Sequence, residues 1–443
     1  MEGLKPTKVR WGVFFAILVM CTVNYVDRAV ISVSMPVIQK DLNLDPVVVG
    51  VILSSFFWGY AAMQIPVGWL LDRFHPDKII VFSGVLWGVF QILTGFVTSS
   101  RIFIFLRAML GISEAPIYPG GTKLQSVWLT SKERARGSAL MDSGCAWGNA
   151  IGGPLVVLFM AWLGGWRGAL IGVGILTIII AGLAWRFIKG TPETNPRINE
   201  AERSYIKNSL AEEYEFGKKA DGSVLRTSGI KDYLRSRNFW CMLIGFFAMD
   251  AYWYGLMTWG PNYLSSTQHL NIASIGGSML LIFGTGAIVE LIGGVVTDKW
   301  RQTASMNKVI RTLMGVLAIG MTISMYFLSK ATSISGALVW LTVGVAFCRW
   351  TGMLFFVIPP AISQRNHVGT VAGTMNFVGN VAGVITPIVV GFIVSLTRSY
   401  NLAFMTFMGL AILIVVCALL FDFSKKVGSE AGPVQMTKEN VTD

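Results

Sequence analysis

Long apolar runs of about 20 residues alternate along the chain with short polar or basic segments. About twelve runs can be counted, beginning near Trp11, Val47, Lys78, Arg101, Glu133, Trp166, Phe239, Ile272, Lys308, Ser335, His367 and Tyr400. At 1.5 Å per residue, ~20 residues cross a bilayer core of ~30 Å. Lipid offers no hydrogen-bond partner to an open strand edge, so the runs predict helices. The expected fold is an all-α membrane protein with twelve transmembrane helices.

Composition supports this reading and charge adds orientation. Of 443 residues, 53% are hydrophobic and 14% charged, with a net charge of +12. Such basicity could signal nucleic acid, but its distribution argues otherwise. With both termini inside, roughly 28 of the 36 Lys and Arg fall in cytoplasmic segments and about five outside, as the positive-inside rule requires. The partners expected are therefore the lipid bilayer and a small solute, not nucleic acid. All five cysteines (Cys21, Cys145, Cys241, Cys348, Cys417) fall within apolar runs, so no disulfide is expected. Lys5, Lys8 and Arg10 precede a first run without a small-residue cleavage site, which reads as a retained helix. The absence of long external loops fits a bacterial cytoplasmic (inner) membrane.

A polar stretch of about 50 residues divides the runs six and six. The expected organisation is a first bundle over 1–189, a cytoplasmic segment over 190–238, a second bundle over 239–424 and a cytoplasmic tail over 425–443. Within the central segment, Asn199 to Glu215 has the composition of a surface helix. Gly68-Trp69-Leu70-Leu71-Asp72-Arg73 follows the second run of the first half; Gly294-Val295-Val296-Thr297-Asp298-Lys299 follows the second run of the other, at an offset of about 226. Gly148-Asn149 with Gly152, and Gly379-Asn380 with Gly383, repeat at a similar spacing. A parallel duplication predicts two related bundles that rock about a site at the membrane midplane. The Gly68 to Arg73 marker resembles the loop signature of the major facilitator superfamily, and the twelve-helix plan matches over nearly the whole chain. His75 stands where that family has a later glycine. Asp72, Arg73 and Asp298 are expected to latch a gate by pairing with helix ends and neighbouring charges in one state and releasing them in the other.

A charge near the bilayer centre costs at least ~2.5 kcal/mol on insertion scales, so each needs a partner or a purpose. The first run carries Asn24-Tyr25-Val26-Asp27-Arg28, and the fourth carries Arg107 and Glu114. The latter two are two helical turns apart, on one face, with Gly111 opening space between them. Two carboxylates and two guanidiniums would thus meet at a shared cavity with zero net charge, which burial tolerates while the pairs stay intact. A planar guanidinium is the natural fork for a carboxylate ligand.

The sequence Arg107-Ala108-Met109-Leu110-Gly111-Ile112-Ser113-Glu114-Ala115-Pro116, followed by Pro119-Gly120, resembles the anion:cation symporter family of sugar-acid and organic-anion carriers. Asn24 to Arg28 and Ser55-Phe56-Phe57-Trp58-Gly59-Tyr60 fit the same family. The resemblance implies that Arg28 binds the substrate carboxylate. It implies also that Asp27 and Glu114 exchange protons, that Arg107 pairs with Asp27, and that Tyr25 and Tyr60 bond substrate hydroxyls. Asn376 and Asn380 would complete the lining from the second half.

Cys145, Asp142 and Arg349 depart from the pattern expected of sugar-acid members. Arg349 either faces a second substrate carboxylate or pairs with Asp250 or Glu290. Within the aromatic group Tyr252, Trp253, Tyr254 and Trp259, ending at Pro261-Asn262-Tyr263, Tyr252 is the expected cavity residue; Trp259 and Tyr263 suit the membrane interface. The three histidines (His75, His269, His367) are scattered, and no nucleophile-base set or phosphate-binding glycine loop appears, so no enzyme and no cofactor are expected. The sequence thus predicts a monomeric carrier moving a small carboxylate, such as an aldonate, hexuronate or aldarate, together with protons. A uniporter or exchanger, sodium coupling, and another acid such as tartrate or phthalate remain open.

Overall fold

The computed structural model describes residues 5–216, 229–266, 272–424 and 427. His269 and, apart from Val427, the tail 425–443 lie outside the described residues. Twelve helices among them are long and apolar enough to cross a membrane. In the first half these are span 1 (Val9–Asp41), span 2 (Val48–Arg73), span 3 (Pro76–Thr94), span 4 (Ser100–Trp128), span 5 (Arg134–Trp162) and span 6 (Trp166–Ile188). The second half supplies span 7 (Arg237–Pro261), span 8 (Gly277–Thr303), span 9 (Met306–Ser329), span 10 (Ile334–Ile362), span 11 (Arg365–Thr397) and span 12 (Asn401–Leu420). With twelve spans running alternately up and down, the start of span 1 at Val9 and the end of span 12 at Leu420 lie toward one face, called here the terminal face.

Span 4 is two helices, Ser100–Glu114 and Ile117–Trp128, because Pro116 removes a backbone donor at the junction. Ionisable Glu114 sits at that break. Outside the spans, the helix Glu200–Phe216 forms where the charged stretch predicted one. It is more than a linker. Glu202, fully buried, accepts Thr7 Oγ1 at 2.6 Å, the Val9 amide at 3.0 Å and Arg10 Nη1 at 2.6 Å, so it caps the amino end of span 1. Arg10 also reaches Glu133 at 3.0 Å.

The duplicated glycines do the same work in each half. A side chain at Gly148 would meet Thr22 and Tyr25, and one at Gly152 would meet Ala29, so span 5 lies directly on span 1. In the second half Gly379 faces Phe246 and Asp250 and Gly383 faces Tyr254, so span 11 lies on span 7 in the same way. Gly111 differs from its expected use. It opens no cavity, because the main chain of Phe56 and Tyr60 fills the space and brings span 2 against span 4.

Candidate functional site

Between the bundles lies a narrow polar cavity whose empty space, mouth included, is about 430 Å³. Span 1 supplies Tyr25 and Arg28, span 2 Tyr60, span 4 Tyr118 and span 5 Asp142. The other bundle contributes Asp250 and Tyr254 from span 7, Arg349 from span 10, and Asn376 and Asn380 from span 11. Five of the six expected substrate-binding residues therefore meet in one place.

Arg28 is held by aromatic rings. Its guanidinium carbon lies 4.7 Å from the Tyr25 ring centre, 4.9 Å from Phe56 and 4.8 Å from Tyr60. A cation over ring faces is stabilised by their quadrupoles, more so once desolvated. Nε donates to Glu114 Oε2 at 3.4 Å, and that oxygen also accepts Asn24 Nδ2 at 2.7 Å. Nη2 is buried and makes no hydrogen bond. Leaving a buried donor unpaired costs about 1–3 kcal/mol, more for a charged group.

The expected group of four charges around the cavity is only partly assembled. Arg28 lines the cavity, whereas Asp27, Arg107 and Glu114 stand behind it. Asp27 does not pair with Arg107. A step of one residue along span 1, about 100°, directs it away from Arg28, toward spans 3 and 6, where its Oδ2 accepts Trp87 Nε1 at 2.9 Å and Thr177 Oγ1 at 3.0 Å. Arg107 lies 5.0 Å from the Phe56 ring centre, and its Nε and Nη1 make no hydrogen bond.

Tyr252 requires a second correction. Its hydroxyl is 3.3 Å from Ser324 Oγ and 3.4 Å from the Met321 carbonyl oxygen, fully buried against span 9. Tyr254 takes the cavity position instead. Two residues turn a helix by about 200°, so the nearby tyrosine points the opposite way.

Arg349 meets both a partner foreseen and one that was not. Nε donates to Glu290 Oε2 at 3.2 Å, while Nη2 lies 2.8 Å from Asp142 Oδ2 and donates to the Asp142 carbonyl oxygen at 2.7 Å. Glu290 and Arg349 belong to one bundle and Asp142 to the other, so this ion pair crosses the interface. Tyr118 also faces across, its ring stacked on Phe356 at 5.7 Å. Sequence reasoning missed Tyr118, which lies beyond the break of span 4, where helical spacing from Glu114 does not carry over.

Toward the terminal face, the two carboxylates of the repeated marker each cap a helix of the opposite bundle. Asp72 accepts the amides of Gly369 at 2.8 Å and Thr370 at 2.7 Å, Thr370 Oγ1 at 2.8 Å and Lys123 Nζ at 2.7 Å. Lys123 also donates to the Arg365 carbonyl oxygen. Asp298 accepts the amides of Ala135 at 3.1 Å and Arg136 at 3.0 Å, with Arg136 Nε at 2.7 Å. A carboxylate on a helix amino terminus is favoured by unpaired amides and by the helix dipole. Arg73 takes no part in this arrangement; it rests over Trp69 at 4.3 Å. Lys123 is the cation at that position.

Two pseudo-symmetric six-helix bundles with a polar cavity between them, closed toward one face, define a membrane transporter. The chain belongs to the Major Facilitator Superfamily, whose family model matches residues 17–387. It is a multi-pass protein of the cell inner membrane and not an enzyme. "Probable galactarate/D-glucarate transporter GudP" of Bacillus subtilis (strain 168) is 31% identical over 412 residues, spanning 90% of this chain and 88% of the relative. "Probable galactarate/D-glucarate transporter GarP" of Escherichia coli (strain K12) is 30% identical over 431 residues, spanning 95% and 96%. "Probable L-galactonate transporter" of the same strain is 30% identical over 396 residues, spanning 88% and 83%. Among solved structures, the proton:xylose symporter XylE, bound to 6-bromo-6-deoxy-D-glucose, superposes with a TM-score of 0.70 at 13% identity, covering 95% of this chain and 98% of that one. That likeness concerns the fold.

Proposed function

We propose that the protein carries a sugar acid across the membrane by alternating access, in symport with protons. The observation that carries this reading is Arg28, a cation with an unpartnered Nη2, which lines a cavity together with Tyr25, Tyr60, Tyr254, Asn376 and Asn380. The guanidinium suits a carboxylate, and the hydroxyls and amides suit the hydroxyls of a polyol chain. Relatives named as probable transporters of galactarate and D-glucarate or of L-galactonate support the substrate class.

Proton coupling follows from charge balance in the wall. Asp27 and Glu114 offset Arg28 and Arg107, so an arriving anion leaves the buried group with a surplus negative charge unless a proton accompanies it. Glu114 is the proton acceptor we assign closest to the substrate, since protonation weakens its claim on Arg28 Nε. Asp27, with an unpartnered Oδ1 in its buried pocket, is the second. Anion and proton thereby favour one another's binding, which is the thermodynamic content of symport.

The excess of basic residues supports a cytoplasmic terminal face. Asp72 and Asp298 then form the cytoplasmic latch, and the arrangement described is the state closed to that side. Inward opening would release both caps. In that scheme 190–238 is the cytoplasmic connector of the two bundles, and the monomer contains the whole pathway.

Uptake of labelled glucarate into proteoliposomes tests the reading. An inward proton gradient alone should drive accumulation and a sodium gradient alone should not. Accumulation with sodium only, or equal rates without any gradient, would overturn proton symport.

A further inference from the structure

Galactarate and glucarate carry two carboxylates and galactonate one, so the sugar-acid reading leaves open what the second bundle binds. Arg349 decides this. Its bonds to Glu290 and Asp142 use Nε and Nη2. Nη1 takes part in neither ion pair, and Arg349 is among the residues that line the cavity. The cavity therefore has a guanidinium donor from each bundle: Arg28 from span 1 and Arg349 from span 10. Hydroxyl and amide groups stand around the same space.

We propose that Arg349 is a second carboxylate-binding residue and that the substrate is a hydroxylated dicarboxylate held between Arg28 and Arg349. This rests on the sugar-acid reading of the Arg28 site. A ligand anchored at both ends touches both bundles, so its occupancy bears on the interface as well as on affinity. The second arginine also carries the Asp142 bond across that interface, and the distal carboxylate competes with Asp142 for it.

Electrostatics set a condition. Asp142 of span 5, Asp250 of span 7 and Glu290 of span 8 outnumber Arg349 on that side of the cavity. A further carboxylate is admitted once a proton neutralises one of the three. Asp142, whose Oδ2 lies 2.8 Å from Arg349 Nη2, is the carboxylate that an incoming ligand has to displace. Neutralising Asp142 leaves Arg349 with Glu290 and an open side for the ligand.

The test is titration calorimetry of the purified full chain with two dicarboxylates, galactarate and glucarate, and two monocarboxylates, galactonate and gluconate. The wild type should bind at least one dicarboxylate tenfold or more tightly than its monocarboxylate partner. Arg349→Gln, paired with Glu290→Gln and Asp142→Asn so that neither ion-pair partner is left without its cation, should bring the two affinities together while leaving the monocarboxylate within twofold. Asp142→Asn keeps Arg349 in place and should tighten dicarboxylate binding severalfold at neutral pH with little change for the monocarboxylate. Equal affinity for both classes in the wild type, or equal losses for both in the triple variant, would overturn the assignment. Binding of neither class, or binding untouched by Arg28→Gln, would overturn the Arg28 sugar-acid site and this proposal with it.

Discussion

Glu114 Oε2 accepts Arg28 Nε at 3.4 Å and Asn24 Nδ2 at 2.7 Å, so one carboxylate oxygen orients a cation that lines the cavity. Both residues lie at special points of their helices: Arg28 under three aromatic rings, Glu114 at the break of span 4. The pair is the smallest unit in which substrate binding and proton binding can compete.

Glu114→Gln keeps the shape and the acceptor but removes the titratable charge. It should abolish accumulation driven by a pH gradient while preserving exchange of external for internal substrate. Counterflow in proteoliposomes reads the two activities separately. Loss of both would make Glu114 a structural support and remove it from coupling.

The two caps at the terminal face should behave alike, since they are copies. Asp72→Asn and Asp298→Asn each weaken charge-assisted bonds of about 1.5–3 kcal/mol, enough to shift a conformational equilibrium tenfold or more. Spin labels at Lys132 and Asn366, exposed on opposite bundles, should report a longer distance population in either variant. Arg73→Ala should leave that distribution unchanged, because Arg73 stacks on Trp69 outside the cap.

The two tyrosines of span 7 should separate stability from binding. Tyr252→Phe removes weak bonds to Ser324 and Met321, costing about 0.5–1.5 kcal/mol of stability without altering ligand affinity. Tyr254→Phe should lower affinity severalfold with little effect on melting temperature. Thermal melts with and without ligand measure both; the reverse pattern would return Tyr252 to the cavity.

Much of this was readable along the chain, and the exceptions share a cause. Spans are legible because a bilayer demands about 20 consecutive apolar residues, whatever their neighbours. The glycine and Asp markers were legible because duplication writes them twice. Arg28 and Asn376 were legible because polar residues inside apolar runs are conspicuous. What failed was helix phase: whether Tyr252 or Tyr254 faces inward depends on a rotation that aromatic content does not encode. The partners of Asp27 and Arg107 were also misjudged, since Trp87 and Thr177 come from helices whose packing no local pattern reveals. The Asp142 to Arg349 bond joins residues from different halves, and only the assembled interface brings them together.

The central claim is that Arg28 holds the carboxylate of a sugar acid. Thermal stabilisation of the detergent-purified protein by a panel of sugar acids, aldarates, aromatic acids and tartrate tests it most directly, because a ligand of the folded state raises apparent stability by mass action. The wild type should be stabilised by a sugar acid or aldarate, more strongly at low pH, and Arg28→Ala should lose the shift, an affinity loss of about 10–100-fold for a charged bond of about 1.5–3 kcal/mol. An undiminished shift in Arg28→Ala, or a wild-type shift from aromatic acids or tartrate alone, would contradict the account.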